Sequence, residues 1–415
     1  MRLLKGLLYF FLVVLFLGVL IFGLNWDSFE TLFQNQDGLA EGSEWVEKTY
    51  SLEGLVEYME LNPDHISVVS YDLTRPDTGI YYQPDIPRTM ASLGNIFLAI
   101  AYAQHVDQGG WSRNEMIPID TLNRYQLPNI ERTTHADVWE VLEKRGKIEN
   151  GKVSINQVAQ MMLEYNDPVF ADYLYDRIGF NTLDNLITEL GLSQTETPLP
   201  FSGLYIAINP HVFDRSFATH MDSLNHWSTE RWNQQVLRWH HRYMNDDDYR
   251  VQIRDLYAEQ DGLGLRFMQE RDLYRFFPQS TARELAQLME QIYKQGIINA
   301  SVSQHIWELL NWPMEQQQLS NDLTRYAAIY DNRMGILNGI DMGISRYTGA
   351  PTAQAVFFDQ LPVAFWLHMS SNYMHQDYQQ RLIWDPALHQ VSKSAFTRVM
   401  DSLAQRQGKT PNPTL

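Results

Sequence analysis

What constrains this chain most is the order in which strand-like and helix-like segments follow one another. "ISVVSYDL" and "GIYYQP", separated by the turn "TRPDT", read as two strands near the start. Strand patterns return only late, in "RYAAIYDNRMG", "GIDMGISRY", "TAQAVFFD" and "VAFWLHMS". From about Trp111 to Leu310 the pattern is helical. There "SINQVAQMMLEYN" has a 3.6-period stripe behind a Ser154 cap, and "STARELAQLMEQIYKQG" starts at a cap and stops at Gly296. Such a chain closes most simply by pairing the early hairpin with the late strands in one antiparallel sheet. The terminal segments "SLEGLVEYMEL", capped by Ser51, and "KSAFTRVMDSLAQRQ" are helices that would cover one face. The helical block takes the other, with a cleft between. The expected fold class is α/β plus all-α: an antiparallel sheet flanked by terminal helices, with a large helical subdomain.

The N-terminus adds a topological constraint. Arg2 and Lys5 precede an uncharged run, Gly6 to Leu24, and the next charge is Asp27. That run is long enough to span a bilayer and has no small-x-small cleavage pattern after it. It is expected to be an uncleaved anchor (residues 1–26), a cleaved signal peptide being the alternative. The preceding positive charges keep the N-terminus cytoplasmic. The expected location is therefore a single pass in the inner membrane with the C-terminal domain in the periplasm. Residues 27–48 are polar and Gly-containing, which suits a tether, and residues 49–408 form the domain. Its sheet part is about 49–91 and 323–408. Its helical part is about 92–322, with an insertion at about 210–278. The tail "GKTPNPTL" reads as disordered.

Composition excludes several function classes. With 44% hydrophobic and 13% aromatic residues, the 415-residue chain can build a real core. A net charge of −18 argues against nucleic acid, which needs clustered Lys and Arg. The absence of cysteine removes disulfides and thiolate metal sites. No cofactor or metal is expected. His240 and His241 with Asp246, Asp247 and Asp248 lack an H-E-x-x-H spacing and read as a solvated charged helix. Trp227, Trp232 and Trp239 read as helix packing.

Four segments carry chemistry or its remnants. "MASLGNIFLAIAYA" is similar to an S-x-x-K helix start, and "MMLEYNDPVFADYLYDRIG" to an S-D-N segment with its following helix. "DNRMGILNGI" is similar to K-T-G on an edge strand, and residues 280–310 to the helical pair that precedes it. In this order they resemble the class A β-lactamases and related penicillin-recognising serine enzymes, from about Leu52 to Arg406. The resemblance implies a β-lactamase-like fold, a Ser92 nucleophile for acyl transfer, and a lysine base one turn on. That position is Asn95, an amide with no usable basic form near neutral pH. The S-D-N segment becomes Asn166, Asp167 and Pro168, so only Asp167 keeps its type. The K-T-G segment becomes Arg333, Met334 and Gly335. There Arg333 keeps a charge for a substrate carboxylate, and Gly335 keeps the close approach a substrate strand would need. No E-x-x-L-N segment follows; Glu196 stands at about that place.

Each residue also has a structural reading. Ser92 suits a helix N-cap, Arg333 an ion pair, and Asp167 the cap of a helix starting at Pro168. Tyr165 suits packing, and Glu196 an exposed loop. Two functions follow. In the first, a degenerate family member binds a cell-envelope ligand or an envelope protein with little acyl transfer; a peptidoglycan fragment or a β-lactam-like molecule is the expected ligand. In the second, an active serine hydrolase uses Ser92 with a substitute base, Tyr165, Asp167 or Glu196.

Overall fold

A computed structural model describes residues 31, 33–130, 132–260, 262–315 and 322–406. The apolar run Gly6–Leu24 and the C-terminal tail lie outside the described residues. No described helix is long and apolar enough to cross a membrane.

In chain order, α1 (Gln36–Ala40), α2 (Ser43–Lys48) and α3 (Leu52–Leu61) precede β1 (Ile66–Asp72) and β2 (Ile80–Tyr82). The Ser51 hydroxyl caps α3 by accepting from Gly54 N, 3.2 Å away. Next come α4 (Asn95–Asp107), α5 (Ile155–Tyr165), α6 (Pro168–Ile178) and α7 (Phe201–Ile208). The expanded middle supplies α8 (Phe217–Asn225), α9 (Thr229–Asn245), α10 (Asp247–Glu259) and α11 (Phe267–Leu273). Then α12 (Ala282–Tyr293) and α13 (Ala300–Leu310) lead into β3 (Leu323–Arg333), β4 (Ile336–Ser345) and β5 (Pro351–Phe358). Finally α14 (Val363–Ser371), α15 (Met374–Trp384) and α16 (Pro386–Arg406) follow.

The early hairpin joins the late strands in one five-stranded sheet, order β2-β1-β5-β4-β3, with every neighbouring pair antiparallel. Period-two alternation divides its side chains between two cores. Ile66, Val68, Val356 and Phe358 face a layer that includes Tyr58, Phe365, Tyr378 and Phe396 from the terminal helices. Val69, Tyr71, Ala353, Ala355 and Phe357 face the helical block. The fold is thus an antiparallel sheet with terminal helices on one face and a large helical subdomain on the other.

Three segments depart from expectation. "VAFWLHMS", expected as a strand, is helix α14. Its apolar run fits either period. Pro362 at its N-cap and burial of Phe365 and Met369 in the core that faces the sheet decide for helix. Helix α15 was not anticipated. Residues 36–48, expected as a tether, form α1 and α2 with Trp45 buried against Tyr58. A Cβ on Gly38 would touch Met268 and Val363, so α1 sits between the insertion and α14.

Candidate functional site

The serine turn is built on an unusual backbone. Ala91, immediately before Ser92, has φ +47°, a left-handed conformation that costs a non-glycine residue of order 1–3 kcal/mol. It tips Ser92 into a 3₁₀ turn, Ala91–Gly94, from which α4 starts at Asn95. Ser92 caps neither element. Its hydroxyl instead accepts a 2.7 Å hydrogen bond from Arg333 Nη2. Its backbone N–H points at Asp331 Oδ1, 3.4 Å away. Ser92 has no exposed surface.

Asp331 and Arg333 share one face of β3 because they are two residues apart. Arg333 Nε lies 3.4 Å from Asp331 Oδ1, and both side chains are buried. The guanidinium stacks 4.8 Å from the Phe201 ring and hydrogen-bonds the Tyr205 hydroxyl, both on α7. Burial pushes the Asp331 carboxyl up to about 7, against hydrogen bonds from the Ser92 hydroxyl and amide that favour its ionised form. Burial also draws Arg333 down to about 9. The nucleophile position therefore sits between an acidic group and a guanidinium of the same strand, with Phe201 and Tyr205 of the buried helix α7 packed on the guanidinium.

Asn95 is turned elsewhere: its amide donates to the Met162 carbonyl at 3.4 Å. Asn166, in a left-handed conformation at the end of α5, donates to the Tyr330 carbonyl and so ties the helical block to β3 beside Asp331. Asp167 faces away from the serine. It caps α6 through Val169 N at 2.8 Å and holds His135 Nδ1 at 2.7 Å.

Beside the covered serine lies an open groove of about 810 Å³. Asn332, Arg333 and Met334 at the end of β3 line one side, and Asn129, Gln260 and Phe267 the other. Thr31, Gln34 and Asn35 border it as well. Ser92 is not among the groove's lining residues.

The model of the beta-lactamase enzyme family matches residues 52–365, which is more than half of the chain. This chain belongs to that family. A search of curated protein sequences returns no match. Among solved structures, a β-lactamase from Sphaerobacter thermophilus is similar at 12% identity and a TM-score of 0.48, covering 79% of this chain and 97% of that one. A β-lactamase from Chitinophaga pinensis is similar at 15% identity and a TM-score of 0.47, covering 82% and 97%. A PBP-A mutant, an acyl-enzyme complex with penicillin G, is similar at 12% identity and a TM-score of 0.44, covering 79% and 96%.

In this beta-lactamase family member the remaining site residues are dispersed. Glu196 is exposed and accepts from Gln279 N at 2.9 Å. Tyr165 packs on the core, and burial raises its hydroxyl to about 12, far from a base at neutral pH. Gly335 has φ +76°, and a Cβ there would lie 2.4 Å from Arg271 Cγ. The close approach at this glycine is thus made by the protein's own Arg271, not left open for a substrate strand. His240 bridges Ser202 Oγ and Asp176 Oδ1, each at 2.7 Å, inside the helical block. Trp232 packs on Phe276, and Trp239 on Phe213 and Tyr249. Among the described residues no group of His, Asp or Glu could hold a metal ion. Sequence reasoning missed Asp331, Tyr205 and Phe201. The two-residue spacing of Asp331 and Arg333 on a strand was a signal for the first. Nothing local pointed to the other two.

Proposed function

We propose that this beta-lactamase family member is a membrane-tethered envelope protein that binds a cell-envelope ligand in the 810 Å³ groove, with little acyl transfer. One observation carries the reading. Both polar handles of Ser92 are taken by the chain itself, its hydroxyl by Arg333 and its N–H by Asp331, and the residue is fully covered. Acyl transfer needs that N–H for an oxyanion and the hydroxyl for attack. The groove, in contrast, is open and mixes amides, aromatics and Arg333. A peptidoglycan fragment, with its amides, sugars and carboxylates, matches such a lining. The test is a titration with soluble muropeptides. Ala258→Trp places a bulky ring on an exposed groove position and should weaken binding at least ~10-fold, a loss of about 1.4 kcal/mol. Unchanged affinity, or none in the parent protein, would sink the proposal. The Gly6–Leu24 run supports the tether. A reporter active only outside the cytoplasm should work when fused after Leu415, and extraction should need detergent. Release as a soluble periplasmic chain would point to a cleaved signal peptide.

A second reading rests on Asp331. A carboxyl raised to about 7 that touches the Ser92 hydroxyl is poised to take its proton, with Arg333 stabilising the resulting alkoxide. In that reading the protein is a serine hydrolase whose substrate reaches Ser92 only when the packing over it opens. Labelling of Ser92 by a fluorophosphonate, lost in both Ser92→Ala and Asp331→Asn, would support it. Absence of labelling from pH 6 to 9 would rule it out.

A further inference from the structure

The insertion carries a second concavity, remote in character from the serine site. It is a shallow notch of about 430 Å³ lined by Arg215, Thr219, Asp222, Ser223, His226, Trp227 and Arg231. The guanidinium of Arg215 lies 5.7 Å from the Phe213 ring, and that of Arg231 lies 5.0 Å from the Trp227 ring. A guanidinium held by attraction to a ring face can still donate through its N–H groups. Both side chains are exposed. Among the described residues neither forms an ion pair; Arg238, Arg254, Arg266 and Arg275 of the same insertion share that state, whereas Arg242, Arg250 and Arg271 are paired.

The one carboxylate in the notch, Asp222, is oriented to the His226 ring, 3.9 Å away. Thr219 and Ser223 add hydroxyl groups to the lining. Two guanidinium groups and two hydroxyls in one lining match the oxygens of a tetrahedral anion. The Trp227 ring adds an apolar flank.

We propose that this notch is a binding site for a phosphate group, held between Arg215 and Arg231. The group comes either from a soluble phosphate ester or from an anionic lipid headgroup. A headgroup rests on the tether reading; a soluble ester does not. The segment nearest the apolar run is pinned to the same insertion, since Asn35 Oδ1 accepts from Phe267 N at 2.6 Å.

The experiment uses the full chain in a non-ionic detergent. Binding is measured for inorganic phosphate and glycerol 1-phosphate in one arm. Short-chain phosphatidylglycerol is measured against phosphatidylcholine in the other. Arg215→Gln with Arg231→Gln keeps the folded chain, because both side chains are exposed, and should weaken binding about 10-fold or more. Asp222→Asn removes the competing charge and should tighten binding, a gain that a merely structural role would not give. Binding in the soluble arm assigns a free phosphate ester. Binding of phosphatidylglycerol alone assigns a lipid headgroup. No binding in either arm, or equal binding by the double variant, overturns the site, and failure of Asp222→Asn to tighten binding counts against it. None of these outcomes depends on the groove, so the muropeptide titration succeeds or fails separately.

Discussion

At the scale of single residues, the question is whether one letter explains the missing chemistry. Asn95 removes the lysine base, yet its amide points to Met162 and not to Ser92. Two other residues occupy the serine: Arg333 on its hydroxyl and Asp331 on its N–H. We therefore expect no stable adduct with a labelled penicillin at neutral pH, read by mass spectrometry of the intact protein. Asn95→Lys alone should not restore turnover. General-base assistance contributes typically ~10²–10⁴-fold, but an oxyanion would still meet the Asp331 carboxylate. An adduct on Ser92 of the unmodified protein, abolished by Ser92→Ala, would overturn the binding-protein reading. Ser92 and Arg333 were legible as candidate site residues because their motifs are local, and the structure brings these two together while Asn95 is turned away. Asp331 was not, because a carboxylate before an edge-strand motif has meaning only once the strand's face is known.

Among the elements, the sheet holds a polar chain across its strands. Ser70 on β1 donates to Gln354 on β5 at 2.7 Å, and Gln354 donates to Asp341 on β4 at 2.9 Å. Tyr326 on β3 donates to the same carboxylate at 2.5 Å. Burial raises Asp341 from 3.8 to about 7, partly offset by those neutral donors. The folded state thus holds a proton that the unfolded state releases near pH 4. The resulting stability is full below the unfolded value and is lost as pH rises through about 7. We expect the melting temperature to fall between about pH 4 and 7 and to level off above that, by roughly 2–4 °C for each kcal/mol of this linkage. Asp341→Asn should remove that part of the slope, and an unaltered slope would assign the pH dependence elsewhere. The same scale shows where patterning misled. Helix α14 reads as a strand because seven nearly continuous apolar and aromatic letters fit both periods. Its true state is set by Pro362 and by the burial of Phe365 and Met369 in the core that faces the sheet.

For the whole molecule, the insertion and the N-terminal segment act together. Arg271 on α11 reaches Glu41, just after α1, at 2.5 Å, and also Asp272 at 3.1 Å. With Asn35 on Phe267 N, this clamps residues 35–48 onto the insertion and α14. Glu41→Gln should speed hydrogen exchange in α1 and α2 by about 10-fold while leaving the central sheet protected, a loss of about 1.4 kcal/mol of local stability. Equal protection in the variant would show that Trp45 packing alone holds the segment. The sequence by itself determined that the early hairpin and late strands share one antiparallel sheet, the two-layer arrangement around it, the family and the position of the serine turn. Those follow from alternation, helical period and short motifs, all of which act over a few residues. Only the tertiary structure decided that Ser92 is covered, that Asp331 and Arg333 hold it, that Gly335 receives Arg271 and that the supposed tether is docked. Each of these is a contact between segments far apart in the chain, chosen by the burial of apolar surface and the pairing of buried charge. No local pattern encodes which distant partner a side chain will meet.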